Sequence, residues 1–397
     1  MLCEPKTEGS LMPWLETDTM DQRCKFVISY LSGQFEMTEL CRSYGISRPT
    51  GYKWVERYRQ QGALGLQERS RAPTRCPHRM SEQAAQWLLA ERRAHPSWGP
   101  RKLLRRYQDT HASSTAPSRS AIAALLQRQG LSEPRRARRR YTRSKGRQVI
   151  VPSTPNALWS IDYKGEFLTA DHLWCYPLTL RDCASRYLLE CQGHLRISGS
   201  AVQRSTQCVF KEYGLPDAIH SDNGSPFAGT GLSGLSRLSV YWLKLGIHLQ
   251  RSRPACPQDN GAHERMHRTL KAETTRPVAA NLRAQQRRFD RFRHEFNHDR
   301  PHEALNDDVP AQHYRSSLRA YPARLELPDY PGHFHVRSVR TDGSIKWMGR
   351  MFFLSTALCG EHVGLEEIDE GIWSICFMTH LLGRFDVRSM KIIHLPV

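Results

Sequence analysis

Leu158-Trp159-Ser160-Ile161-Asp162-Tyr163 is the stretch whose reading decides the fold. Trp159, Ile161 and Tyr163 alternate with Ser160 and Asp162, the period of an extended strand with one apolar and one polar face. Gly165 follows and ends the run. A carboxylate in mid-strand among bulky apolar neighbours is costly unless its charge is offset. Asp162 is therefore the first residue that calls for a chemical explanation.

Outward from this strand the pattern continues. Residues 174–181 read as a second strand and 186–191 as a third. Residues 200–213 carry a helical period, 217–221 form a fourth strand, and 238–245 are helical. The order β-β-β-α-β-α predicts a mixed sheet flanked by helices. Ser221-Asp222-Asn223-Gly224 sets a second acid at the end of the fourth strand, where Asn-Gly turns the chain. Asp259-Asn260-Gly261-Ala262-His263-Glu264 sets a third in the first turn of a helix. That helix is expected to display Glu264, His267, Arg268 and Lys271 on one face, at i, i+3, i+4 and i+7. Three carboxylates on separate elements suit two divalent cations about 3.5–4 Å apart, the arrangement that stabilises the attacking and leaving oxygens of phosphoryl transfer. Mg²⁺ prefers hard oxygen ligands and keeps several waters, so few carboxylates suffice. Taken singly, Asp222 also fits a plain turn aspartate, and Asp182 and Asp259 read as structural acids.

The charge balance points the same way. The chain has 397 residues and a net charge of +19, and its pI is about 9.7. Nucleic acid is the default partner for such a surface. Residues 1–150 hold 28 Lys and Arg against 13 Asp and Glu, so most of the excess precedes the three acids. The eleven cysteines include no Cys-x-x-Cys pair, which predicts reduced thiols in a cytoplasmic protein. No apolar run reaches the roughly 18 residues of a membrane helix, and the first residues lack an apolar signal region.

Upstream, Phe26, Val27, Tyr30 and Leu31 mark a first helix. Leu40 and Tyr44 face a second, which Gly45 ends, and Ser47 caps a third with Tyr52, Val55 and Tyr58 inward. This is a helix-turn-helix pattern, with Arg48, Thr50, Lys53 and Arg57 outward towards DNA. Gly62-Ala-Leu-Gly-Leu66 and residues 69–79 read as linker. Ser81, Arg101–Leu104 and Ser118–Leu125 mark three more helices, a second helix-turn-helix-like module. Arg135, Arg136, Arg138, Arg139, Arg140, Arg143, Lys145 and Arg147 then form a basic run without an acid, a solvated linker able to neutralise phosphates. Residues 283–298 read as a basic amphipathic helix. From Phe334, short alternating runs between turns predict a small β-barrel.

Four blocks carry a family likeness: residues 156–162, 221–227, 257–271 and Asn297-His-Asp-Arg-Pro-His-Glu-Ala-Leu305. Together and in this order they resemble a DDE integrase core, and more narrowly an IS481-type insertion-sequence transposase. The resemblance implies a multidomain protein: all-α helix-turn-helix modules, an α/β ribonuclease H-like core with a mixed sheet, and a C-terminal SH3-like β-barrel. It implies Asp162, Asp222 and Glu264 as catalytic and metal-binding acids, with two Mg²⁺ or Mn²⁺ ions per site. It also implies 3′-end cleavage and strand transfer on double-stranded DNA, namely element terminal inverted repeats and target DNA, by a homo-oligomer. The expected organisation is a polar extension at 1–11, a helix-turn-helix domain at 12–72 and a second such domain at 78–133. A basic linker at 134–150, the core at 151–320 and the barrel at 329–397 follow. The 41 residues between Asp222 and Glu264 exceed the usual spacing of such cores, and the Gly/Ser-rich stretch 229–236 is expected to absorb the surplus.

Two rival readings remain. His263-Glu264-Arg-Met-His267 and His294-Glu295-Phe-Asn-His298 match the short zincin motif, which would leave Asp162 and Asp222 unexplained. A DNA-binding protein or repressor derived from an inactive transposase would use the N-terminal modules alone.

Overall fold

The structure is a computed structural model. It describes residues 18–69, 80–111, 116–132, 152–229, 231–253, 260–325 and 327–394. The chain forms two compact units, residues 1–79 and 80–397.

The first unit is three helices: α1 (Thr19–Leu31), α2 (Met37–Ser43) and α3 (Arg48–Gln61). Gly45 takes a φ of 64° and turns α2 towards α3, the left-handed step that favours glycine. Phe26, Val27, Met37, Leu40, Cys41, Trp54, Val55 and Leu66 form the core. Gly51 lies where α3 crosses this core; a Cβ there would come within 2.7 Å of Cys41 Sγ and 2.8 Å of Met37 Sδ. Two expectations change. The inner face of α3 is Gly51, Trp54 and Val55, whereas Tyr52 is 54% exposed; the indole of Trp54 has more apolar area to bury than the neighbouring phenol ring. Residues 62–66 are a 3₁₀ turn rather than linker, because Leu66 packs fully into the core.

The second unit begins with α4 (Glu82–Ala94), α5 (Pro100–Thr110) and α6 (Arg119–Arg128). Ser81 and Ser118 cap α4 and α6, accepting hydrogen bonds from the Ala84 and Ala121 N–H groups. Trp98, Leu88, Leu103 and Ile122 are fully enclosed between these helices. The module docks on the following domain through ion pairs: Arg101 with Glu303 and Asp307, Arg105 with Asp308, and Arg106 with Asp299.

The central sheet holds β1 (Leu158–Tyr163), β2 (Phe167–Leu168), β3 (Trp174–Asp182), β4 (Leu188–His194), then α7 (Gly199–Tyr213), β5 (Ala218–Ser221), α8 (Arg237–Lys244) and β6 (His248–Arg251). Helices α9 (Gly261–Thr274), α10 (Leu282–His298) and the short α11 (Pro310–His313) follow. The strand order is β2-β3-β1-β5-β6, with β4 on β3. β1 pairs antiparallel to β3 and parallel to β5, and β5 parallel to β6, so the sheet is mixed. Trp159, Ile161, Leu178, Leu180, Val209, Phe210 and Trp242 fill one side against α7 and α8. Met266, Leu270, Phe289, Phe292 and Phe296 of α9 and α10 pack on Cys175, Leu188 and Cys191.

The C-terminal strands are β7 (His335–Ser338), β8 (Ser344–Trp347), β9 (Arg350–Phe353), β10 (His362–Asp369), β11 (Ile372–Phe377), β12 (His380–Asp386) and β13 (Lys391–His394). They form an antiparallel sheet β13-β12-β11-β10-β7 and a separate β8-β9 hairpin. The strand pairing among the described residues does not close into the expected barrel. Leu232, Leu235, Val240 and Leu243 from the α8 region share the apolar core of this sheet. No helix among the described residues is long and apolar enough to cross a membrane.

Candidate active site

The site lies at the carboxyl end of β1. Parallel pairing sets Ser160 opposite His220 on β5; two residues further along each chain, past the last paired rung, come Asp162 and Asp222. β5 ends at Ser221, and Asp222 opens a tight turn in which its Oδ1 accepts from the Gly224 N–H at 3.1 Å. Asn223 anchors that turn by donating to the Ser252 carbonyl at 2.8 Å. On the other side of β1, Asp162 pairs with Thr179 of β3.

Helix α9 lies over this polar face. Its inner residues are His263, Met266, His267 and Leu270, all buried, while Glu264, Arg268 and Lys271 are exposed. His267 thus departs from the face expected for it. Its ring packs towards the sheet beside His263, one turn away, and Glu264 stays with Arg268 and Lys271. His263 lies 2.8 Å from Ser160 Oγ and 2.7 Å from Thr179 Oγ1. His267 Nε2 is 2.7 Å from the same threonine oxygen, and its Nδ1 is 3.8 Å from Asp162 Oδ2. Asn260 Nδ2 reaches Asp162 Oδ2 at 3.4 Å. Arg181 Nε donates to Ser160 Oγ at 3.1 Å. Both histidines are occupied by sheet hydroxyls, which removes the zincin reading of 263–267.

Burial pushes the Asp162 carboxyl up to about 7, and the nearby charges of Asp222 and Glu264 add to the effect. Asp162 therefore senses the other two acids, and their negative charge favours a proton or a cation at its carboxyl. Burial lowers His263 well below its usual range and His267 to about 3, so both rings are neutral. Among the described residues, no group of three or more His, Cys, Asp or Glu is gathered closely enough to form a ready metal cage. The donor set nonetheless suits a hard divalent cation, since it offers carboxylate oxygens, although Lys164 acts on Asp162 and Arg251 on Asp222.

The remaining predicted residues divide. Arg48 and Lys53 are exposed on α3. Thr50 is half-buried and shares a 2.9 Å hydrogen bond with Ser47. Lys53 and Arg57 lie 5.0 and 5.1 Å from the centre of the Trp54 ring, with Arg23 on it at 4.0 Å, a cationic surface laid on an aromatic. Arg135, Arg136, Arg138, Arg139 and Arg140, like Asp259, lie outside the described residues. The polar partners Ser160, Thr179, Arg181, His263 and Asn260 escape a reading that looks for acids alone. Their signal was present: Ser160 and Asp162 alternate on β1, as Thr179 and Arg181 do on β3, within otherwise apolar strands. Asp182, read as structural, is buried and accepts from the Asn156 and Ser185 N–H groups and the Ser185 hydroxyl.

Comparison with known proteins bears on these observations. Integrase core domain models match residues 152–257 and 245–310, a helix-turn-helix domain model matches 22–74, and a homeodomain-like domain model matches 50–126. The insertion element IS407 uncharacterized 31.7 kDa protein of Burkholderia multivorans is 26% identical over 233 residues, covering 56% of this chain and 80% of that protein. The HTLV-2 integrase catalytic core domain in complex with magnesium (trimeric form) is 15% identical with a TM-score of 0.33, over 41% of this chain and 98% of that one. A simian T-cell lymphotropic virus intasome, in complex with PP2A regulatory subunit B56 gamma, is 15% identical with a TM-score of 0.37, over 74% and 97%. A mixed-sheet integrase core following helix-turn-helix domains defines a DNA-binding transposase or integrase, an enzyme of the polynucleotidyl transferase type. The chain thus carries integrase core and helix-turn-helix domains and is similar over 233 residues to an insertion element protein.

Proposed function

We propose that this chain is a DDE transposase of the IS481 type, which cleaves the 3′ ends of its element and transfers them into double-stranded target DNA. One observation carries the reading: β1 and β5 pair in parallel up to Ser160 and His220, each two residues before an acid, Asp162 and Asp222, and the charges of Asp222 and Glu264 both act on the Asp162 carboxyl. Asp162, Asp222 and Glu264 would hold two Mg²⁺ or Mn²⁺ ions. Such ions, when bound, neutralise charge on the attacking and leaving oxygens. The protein's own contribution is placement. β1 and the Asn223–Ser252 tie fix two carboxylates, and α9 carries the third. Arg268 and Lys271, exposed on the same side of α9 as Glu264, would grip the DNA backbone next to the cleaved bond. Arg48, Thr50, Lys53 and Arg57 would read the terminal inverted repeats, and the basic run 135–147 would neutralise phosphates between modules.

The domain bounds given by the sequence serve as the working organisation, with the C-terminal sheet as counterpart of the SH3-like barrel that follows such cores. A homo-oligomer on paired element ends, acting in the cytoplasm, completes the proposal. The test is strand transfer of an end-containing oligonucleotide in Mg²⁺. Asp222→Asn should abolish joining while end binding persists. A variant that still joins DNA refutes the site, and a wild-type protein that binds ends but never joins them favours the inactive DNA-binding relative.

A further inference from the structure

Helices α4–α6 are joined to the core by charge rather than by shared apolar packing. Among the described residues, the cluster that holds these helices together, with Leu88, Trp98, Leu103 and Ile122 at its centre, takes no side chain from the core. The C-terminal sheet differs, because it shares an apolar core with the α8 region. Along α5, Arg101 reaches Glu303 and Asp307, each at 2.7 Å, Arg105 reaches Asp308 at 3.1 Å, and Arg106 reaches Asp299 at 3.0 Å. Two further ties, His95 with Glu295 and Arg300 with Ser97, are polar too. The three arginines are 31–40% exposed, so each pair is worth little by itself and is weakened by salt. Arg105 and Arg106 keep a second carboxylate within their own module, Asp109 and Glu91.

Such a joint is suited to release. A guanidinium pairs with a phosphate in the same forked geometry that it uses for a carboxylate, and a DNA duplex carries one negative charge about every 1.7 Å of its axis. Asp299, Glu303, Asp307 and Asp308 occupy the arginines as DNA phosphates would. We infer that the 299–308 segment is an internal competitor for DNA: in the free chain it masks a phosphate-binding face on α5, and double-stranded DNA takes Arg101, Arg105 and Arg106 in exchange for the core acids. The exchange is nearly even in direct contacts, since each arginine gives up a carboxylate as it gains a phosphate, and the counterions released from DNA drive it. The partner is the DNA backbone rather than a base sequence, because phosphate contacts carry no sequence information directly. Helices α4–α6 thereby supply a second, sequence-independent grip that the chain's own acids restrain until DNA is present.

The inference rests on the reading of this chain as a DNA-binding protein. The experiment is a double-mutant cycle on the full chain, with binding to a random-sequence duplex followed by fluorescence anisotropy. One set of changes neutralises the core acids: Asp299→Asn, Glu303→Gln, Asp307→Asn and Asp308→Asn. The other is Arg101→Gln, Arg105→Gln and Arg106→Gln. We expect the acid set to tighten binding by about tenfold or more. The arginine set should weaken binding by no more than about threefold while the core acids are present, and by about tenfold or more once they are neutralised. Additive effects of the two sets overturn the inference, because a general change in net charge acts equally in both backgrounds. A second measurement decides the matter if the acid set fails to fold: saturating duplex should speed hydrogen exchange at the amides of residues 303–308 in the wild type, and unchanged or slower exchange there overturns the inference. A wild-type chain that binds no duplex overturns the DNA-binding reading as well, whereas binding with additive effects overturns this inference alone.

Discussion

Replacing Asp162 by asparagine should make the metal-free protein more stable, although it removes a proposed catalytic group. The carboxyl is pushed from its ordinary 3.8 up to about 7 in the folded chain, first by burial and then by Asp222 and Glu264. The folded state therefore holds this proton more tightly than the unfolded state does. Below about pH 4 the acid is protonated in both states and costs nothing; as pH rises towards 7 the folded state progressively loses stability, and above 7 the cost is complete. At about 1.4 kcal/mol per pH unit, the full cost is roughly 4 kcal/mol. The side chain retains 21% of its exposure, so a gain of about 2–4 kcal/mol is the reasonable expectation for Asp162→Asn near pH 8. For a unit of this size that corresponds to an increase in Tm on the order of 3–6 °C. Thermal unfolding in EDTA near pH 8 and near pH 4.5 is the assay. The difference between wild type and variant should be large at the higher pH and shrink at the lower. Asp222→Asn should recover part of the same gain, because its charge contributes to the shift. An Asp162→Asn protein no more stable than wild type near pH 8, or equally stabilised at both pH values, would refute the picture of a strained carboxylate cluster.

The α3 surface and the α4–α10 contact supply two further expectations. Arg48→Ala and Lys53→Ala should each weaken binding to element ends by about tenfold, with Tm nearly unchanged, since both side chains are exposed; gel-shift titration checks this, and undiminished preference for ends over random DNA would remove α3 as the reading helix. His95 hydrogen-bonds Glu295 at 2.9 Å, which raises its pKa above 6.5 together with the charges of Glu295 and Glu91. Its contribution is therefore full below about 6.5 and is lost as pH rises through the folded value. Amides of α4 should exchange faster at pH 8.5 than at pH 6 after correction for intrinsic rates, and His95→Gln should abolish that difference.

Much of the fold is legible because local pattern and tertiary role coincide. The alternation in 158–163 marks an interior strand, the serines at 81 and 118 announce helix starts, and the period from 283 to 298 marks α10. Other features depend on partners distant in sequence. β6 is His-Leu-Gln-Arg, a polar edge strand that pairs with β5 alone and shows no apolar run. Leu66 reads as linker until α1 and α3 close on it. The open C-terminal sheet differs from a barrel only in which strands meet, and alternation within each strand is identical in both. The same limit applies at the site. Three acids stand out as a chemical pattern, whereas i, i+3 spacing sets His267 beside Glu264 and only the packing of α9 on the sheet buries it with His263. Its hydrogen-bond partner Thr179 lies 88 residues away.

Glu264 is the acid whose role rests on the fewest contacts, since it is exposed on α9 and its link to Asp162 is electrostatic. The most direct test of the account is therefore joining of end-containing DNA by Glu264→Gln in Mg²⁺, compared with wild type at equal occupancy of the ends. The account predicts binding retained and joining reduced by about 10³-fold or more, the loss expected when a group stabilising the transition state is removed. Joining at near wild-type rate would contradict it.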